Sequence, residues 1–326
     1  MKPNLPLTLL GAALLAVPAV FGQATSGVMG FSNVSAPAGT SLVVPTLVNS
    51  SVFQGLAAVS SDGLTITPTV APGWTAGAYA KTSFGAPVPN YPKFYAEIVS
   101  GTYEGILIDI DTNSTTALTA ISPVVPAAIR GTTVQIAVRE HMTLDKVSQG
   151  ATGFSAYATV VNTYNANGST STRYYDGAGW VADDFSSAAG HSVVYPGTGF
   201  VVSTPTAVAF SLMGEVKPTK TVVPLYAGTT NVVGALNPAS STLLYNNSLK
   251  ASLGQFSDVI NNYSTDGNLS NAGTYYVGDL GAGAQVLDGS FSPLAPTATD
   301  AIPLNRGVIV NVTGDTTWTV TSPLAP

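Results

Sequence analysis

Cysteine is absent from the 326-residue chain. Its absence excludes disulfides, thiolate metal sites, cysteine nucleophiles and lipid attachment through an N-terminal cysteine. Charge is also scarce. Asp, Glu, Lys and Arg make up 9% of the residues, against about 25% in an average soluble domain. The 11 Lys and Arg are scattered along a chain of net charge −6. That balance speaks against nucleic acid, whose phosphates need clustered basic side chains. Only two histidines occur, His141 and His191, and no Gly-x-Ser-x-Gly elbow accompanies them, so nothing marks a Ser-His-Asp hydrolase. Beyond the first two dozen residues no apolar run approaches the roughly 18 needed for a membrane-spanning helix.

What is present is a β composition. Hydrophobic residues reach 45%, and 33 glycines and 22 prolines interrupt them. Such punctuation is too dense for long helices and suits many short strands separated by turns. The expected fold class is all-β, built as several small antiparallel β-sandwich or barrel modules. Lys2 followed by the apolar stretch Leu5 to Val20, with Val20-Phe21-Gly22 before Gln23, reads as a signal peptide over residues 1–22. The expected location is therefore secreted or at the cell-envelope surface, in a bacterial setting where a large core replaces disulfides.

The chain is organised around the segment from Phe154 to Leu212, which has a degenerate copy from Phe256 to Val320. Phe154-Ser155 matches Phe256-Ser257, Gly168 matches Gly267, Tyr174-Tyr175 matches Tyr275-Tyr276, and Gly177-Ala178-Gly179 matches Gly281-Ala282-Gly283. In the closing strands Gly199, Val201, Val202, Phe210 and Leu212 match Gly307, Ile309, Val310, Trp318 and Val320 in constant register. Turn glycines and aromatics recurring in one order indicate an internal duplication. A looser phrase links residues 28–56 to 212–234. These matches divide the chain into a signal peptide (1–22), an N-terminal β domain (23–149), module copy 1 (150–215), connecting strands related to 28–56 (216–255) and module copy 2 (256–326).

Within the N-terminal domain, Ala96 to Ser100 and Glu104 to Asp111 flank a Ser-Gly-Thr-Tyr turn, a hairpin signature. Alternation places Ile106, Ile108 and Ile110 on one face and Leu107, Asp109 and Asp111 on the other. Pro126 to Gly131 and Ser248 to Leu253 are the two places where a helical turn is expected.

Several phrases here resemble an uncharacterised paralogous family of secreted bacterial β-rich proteins. They are Tyr95 to Gly101, Glu104-Gly105, Asn113, Gly131-Thr132, Thr143-Leu144, the Tyr-Tyr…Gly-x-Gly-Trp phrase, and Pro196 to Val202. The resemblance covers most of the chain after the leader. It implies export and a β-rich fold, and it brings no catalytic residues with it. The second copy departs from the pattern, with Ala284 at the place of Trp180 and Leu304-Asn305-Arg306 interrupting the Pro-Gly turn.

Among possible sites, Asp109-Ile110-Asp111-Thr112-Asn113 has the Asp-x-Asp-x-Asn opening of a calcium loop. It lacks the glycine and distal glutamate of an EF-hand. Asp109, Asp111 and Asn113 are thus candidate Ca2+ ligands, against the plainer reading of an outward strand face ending in a turn; otherwise no cofactor is indicated. Gly177-Ala178-Gly179-Trp180-Val181-Ala182 matches a dinucleotide fingerprint in letters only, without the strand and helix that motif requires. Glu97 and Glu104 bracket a turn as glycosidase carboxylates could, but read as a solvated edge. The ring-bearing turns offer the best ligand candidates: Tyr174, Tyr175, Trp180, Tyr275 and Tyr276 could stack on sugar faces, or else fill the core.

These observations favour a non-enzymatic secreted or cell-envelope surface protein of structural or matrix character, assembling through edge strands. Its expected partners are itself, other envelope proteins or polysaccharide. A carbohydrate-binding module is the alternative, and a secreted hydrolase the weaker one.

Overall fold

A computed structural model describes residues 27–81, 91–238, 248–281, 283–294 and 307–324. The expected signal peptide (1–22), Ala282 of the second glycine turn and the 304–306 interruption lie outside the described residues. The fold is almost all β, with several antiparallel sheets and one closed barrel.

Strands β1 (Met29–Ala36) and β2 (Gly39–Val43) lead into the barrel. The barrel consists of β3 (Ser51–Val59), β4 (Thr65–Pro68), β5 (Phe94–Ile98), β6 (Leu107–Asn113), β7 (Leu118–Ala120) and β8 (Thr133–Glu140). It closes in the order β3-β4-β7-β6-β5-β8, which removes its sheet edges. Alternating residues such as Ala57, Ile66, Ile98, Ile110, Ile136 and Val138 fill the interior. In β5 both faces are buried, because Tyr95 and Glu97 point out of the barrel into a junction with the next unit.

Beyond the barrel come β9 (Met142–Thr143), the single-turn helix α1 (Leu144–Ser148), β10 (Val160–Tyr164), β11 (Thr170–Tyr175), β12 (Trp180–Val181), β13 (Val193–Val194), β14 (Phe200–Thr204) and β15 (Val208–Glu215). The Thr143 hydroxyl caps α1 by accepting from the Lys146 amide, an ordinary N-cap arrangement. The last unit holds β16 (Thr221–Leu225), β17 (Asn231–Val233), a 3-10 turn at Ser248–Ser252, β18 (Val259–Tyr263), β19 (Asn271–Asp279), β20 (Ala284–Leu287), β21 (Val308–Asn311) and β22 (Thr316–Val320).

The sheet orders β12-β11-β10-β14-β2 and β20-β19-β18-β21-β17 run through the chain in the same sequence. β1 pairs with β15 just as β16 pairs with β22. Strands β1 and β2 therefore lie in the sheets of the unit after the barrel, and β16 and β17 join those of the final unit. The barrel is inserted between β2 and β10. The looser phrase match of 28–56 to 212–234 is thus offset by one strand from the pairing, which sets β1 against β16 and β2 against β17.

Pairing also shows where the sequence match slips. Val160 faces Tyr174 while Val259 faces Tyr276, so Tyr174 corresponds in register to Tyr276 rather than Tyr275. Trp180 faces Tyr175 as Val286 faces Val277, so Val286, not Ala284, occupies the place of Trp180. Phe154 packs against Trp180 inside its unit, whereas Phe256 is exposed. The closing strands keep the constant register read from sequence: Val161 pairs with Val202 as Ile260 pairs with Val310.

The two units pack through Val44, Val201, Val232 and Ile309, with Tyr164 and Tyr263 at the margin. Their turns are exchanged reciprocally. The Thr229 hydroxyl in the β16–β17 turn donates to the Asn165 carbonyl, and the Thr40 amide after the β1–β2 turn donates to the Gly267 carbonyl. Each unit thus offers its first turn to the other's β10–β11 or β18–β19 turn, the reciprocal geometry of an isologous contact, here within one chain.

Candidate functional site

Two surface clusters of rings occupy equivalent positions in the two units. In the first, Phe185 lies 4.5 Å from Tyr174 and 6.1 Å from Tyr157 between ring centroids. In the second, Phe291 lies 4.7 Å from Tyr276 and 6.1 Å from Phe256. Local backbone builds each cluster the same way. The Tyr157 amide donates to the Tyr175 carbonyl, and the Phe256 amide to the Val277 carbonyl. Asp184 folds the turn around Phe185 by accepting from the Ser186 and Ser187 amides. Asp288 does so around Phe291 with Ser290 and Ser292. The Ser187 and Ser186 hydrogen bonds hold the exposed Asp184 carboxyl down at about 2.

Four of these six rings sit on left-handed backbone: Tyr157 at φ 57°, Phe185 at 56°, Phe256 at 56° and Phe291 at 59°. Bulky residues rarely adopt that region, which costs about 1–2 kcal/mol each. Burial does not compensate, since the same four are 56%, 51%, 42% and 46% exposed. Residues held in such sparsely populated backbone regions cluster at functional sites.

Of the five rings proposed from sequence, Tyr174 and Tyr276 belong to these clusters, one to each. The other three do not. Trp180 is buried, donates from Nε1 to the Ser148 hydroxyl at 2.8 Å, and packs on Phe154 and Tyr175 in the core. Tyr275 is buried in the core of the last unit. Sequence reading missed Tyr157, Phe185, Phe256 and Phe291. The signal available was Phe-Ser after an acidic turn residue, in Asp184-Phe185-Ser186 and Asp288-Gly289-Ser290-Phe291-Ser292.

The candidate calcium residues point to three different tasks. Asp109 accepts from the Tyr195 hydroxyl at 2.6 Å and bonds His141 Nε2 at 3.0 Å. Asp111 pairs with Lys81 at 2.5 Å. The bulge between Ile110 and Thr112 turns Asn113 inward, where its side chain bonds the Tyr79 amide and the carbonyls of Thr75 and Ser114, each at 2.8 Å. Among the described residues no three His, Asp or Glu side chains converge to hold a metal.

A second polar assembly joins the barrel to the units that follow it. Arg139 is fully buried and grips Glu215 with two bonds of 2.9 Å. Its Nε lies 3.3 Å from Glu97, which in turn sits 2.5 Å from Lys217 Nζ. Two carboxylates and two cations cancel in a desolvated cluster, as buried charge requires. Glu97 is therefore neither a solvated edge nor half of a glycosidase pair, and Glu104 is spent on the Lys220 amide at 2.9 Å. Burial lowers the Lys217 ammonium below its usual range despite Glu97. Burial acts on Arg139 in the same direction, but the Glu215 and Glu97 carboxylates outweigh it and raise the guanidinium.

Beside this junction a cavity of about 10 Å³ is lined by Leu47, Tyr95, Met142, Val194 and Tyr195 among others. That is room for about one water and not for a sugar. No helix among the described residues is long and apolar enough to cross a membrane. Comparison with known proteins adds no further constraint: no family model, no curated protein and no solved structure matches the chain.

Proposed function

We propose that this chain is a non-enzymatic exported protein of the cell surface or extracellular matrix, which holds neutral polysaccharide through its two ring clusters. The observation that carries the reading is the pair of aromatic trios at equivalent turns, each with two exposed rings on left-handed backbone. Pyranose rings offer apolar C–H faces that stack on aromatic side chains, and their hydroxyls suit the Ser and Asp groups of the surrounding turns. The segments 153–159, 174–187, 254–258 and 276–292 contain no Lys or Arg, which disfavours an anionic ligand. The barrel and the charge cluster at its junction serve as a stiff frame that fixes how the two clusters are presented. Two equivalent contacts on one frame suit a long repeating ligand, because the second binding event becomes intramolecular.

A glycan array probed with the chain lacking residues 1–22 tests this. Wild-type protein is expected to bind neutral β- or α-linked polysaccharides. The double variant Phe185→Gly/Phe291→Gly is expected to lose that signal while keeping its fold, since glycine relieves the strain. Absence of glycan binding, or binding indifferent to the double variant, overturns the reading. Export is tested separately by finding the protein outside the cell with Gln23 as its first residue.

A further inference from the structure

We infer that β1 is an assembly edge through which two copies of this chain pair. Backbone hydrogen bonds fix which groups β1 leaves outward. Glu215 and Ala209 of β15 direct their amides and carbonyls away from β1, toward Val48 and Thr152. In an antiparallel ladder, residues opposite them direct theirs outward as well. The register pairs Met29 with Glu215, Phe31 with Met213, Asn33 with Ser211 and Ser35 with Ala209. The outer row of β1 therefore comprises the N–H and C=O groups of Met29, Phe31, Asn33 and Ser35. Among the described residues no backbone group bonds that row.

The side chains of the same four residues are exposed, Met29 and Phe31 at 61% and 58%, beside Met213 at 73%. An eight-residue edge with apolar side chains and an unbonded row is a template for another strand. The equivalent strand β16 shows how such an edge is blocked. It has five residues, its Val222 amide is taken by the Gly105 carbonyl of the barrel, and Pro224 occupies the next outward position, where its missing N–H interrupts any added ladder. β1 has no proline and no charged residue in Met29–Ala36.

That neutrality points to a second copy as the occupant. Two β1 strands related by a two-fold axis oppose no like charges, and each supplies the same donors and acceptors. Pairing also turns the two-stranded β1–β15 ribbon into a four-stranded sheet, a more stable unit. The contact uses none of the cluster rings and is independent of glycan binding.

Sedimentation equilibrium of the chain lacking residues 1–22 decides the matter. Wild-type protein is expected to dimerise. Phe31→Pro removes one outward N–H per copy, two ladder bonds per dimer, and no bond to β15; it is expected to raise the dimer Kd roughly thirtyfold. Asn33→Lys, which sets charge on the edge and keeps the N–H, is expected to weaken the dimer as well. The double variant Phe185→Gly/Phe291→Gly should dimerise like wild type. Circular dichroism verifies folding, and if Phe31→Pro fails to fold, Asn33→Lys decides alone. A wild-type monomer up to the solubility limit, or a dimer unmoved by the folded edge variants, overturns the inference.

Discussion

Arg139 on β8 of the barrel lays both terminal nitrogens on the carboxylate of Glu215 at the end of β15, with Nη1–Oε2 and Nη2–Oε1 both 2.9 Å. The pair is buried at both ends and crosses the boundary between two units. Removing one member leaves an uncompensated charge in a dry place. Glu215→Ala is therefore expected to cost about 3–5 kcal/mol in chemical denaturation. The double replacement Arg139→Met/Glu215→Met should recover part of that loss, because it restores neutrality between the two positions. A double variant no more stable than Glu215→Ala would show that the pair does not act as a unit.

Alkaline titration probes the same junction. Burial pushes the fully buried Tyr95 phenol far above its ordinary value of 10.0, and the Glu97 charge adds to the shift. A raised folded pKa contributes stability that is complete below the unfolded value and is lost as pH climbs toward the folded one. Lys217, lowered from 10.5, acts oppositely, but only below 10.5. Stability is thus expected to fall as pH rises above about 10.5. Absorbance should show the Tyr95 phenol resisting ionisation until the protein unfolds. Smooth titration of all 14 tyrosines near the ordinary value in still-folded protein would contradict this.

Trp180 separates core from ligand site. Its indole is 3% exposed, and its N–H is satisfied by Ser148. Trp180→Ala is expected to cost about 3–5 kcal/mol of stability. Any glycan binding by the folded fraction should remain. Tyr174→Ala, by contrast, should leave the melting temperature within a few degrees and weaken binding. Parallel melting curves and glycan titrations of the two variants make the check.

Much of the architecture was legible because turn chemistry is local. The Ile alternation in β6 and the helical turn at Ser248–Ser252 both follow from nearest neighbours. Membership of sheets was not legible. Nothing local tells β1 to pair with β15 across the inserted barrel, or tells Glu97 that Arg139 and Lys217 will meet it. The ring clusters were half legible for a related reason. Tyr174 and Tyr276 stand out as strand residues beside turns, while Tyr157, Phe185, Phe256 and Phe291 adopt left-handed backbone that sequence normally assigns to glycine. Of the two readings open for Trp180, sugar contact or core, nothing local decides; the short helix α1 covers it and places it in the core.

The reciprocal turn contact between the two β units rests on a pair of glycines. Gly39 has φ +107° and Gly267 φ +88°; a Cβ on Gly39 would strike the Gly267 carbonyl, and a Cβ on Gly267 the Ala38 carbonyl. Alanine at either position therefore meets two penalties, left-handed backbone and a backbone collision. Gly77 has φ +76° with nothing within 4 Å of its hypothetical Cβ, so Gly77→Ala incurs only the first, about 1–2 kcal/mol. Gly39→Ala and Gly267→Ala are each expected to exceed the Gly77→Ala loss. Their combination should fall short of the sum of the two, because both break one contact. Three melting curves and one double variant measure this. If Gly39→Ala proved no worse than Gly77→Ala, the turns would not be in contact, and the packing of the two units against each other would have to be redrawn.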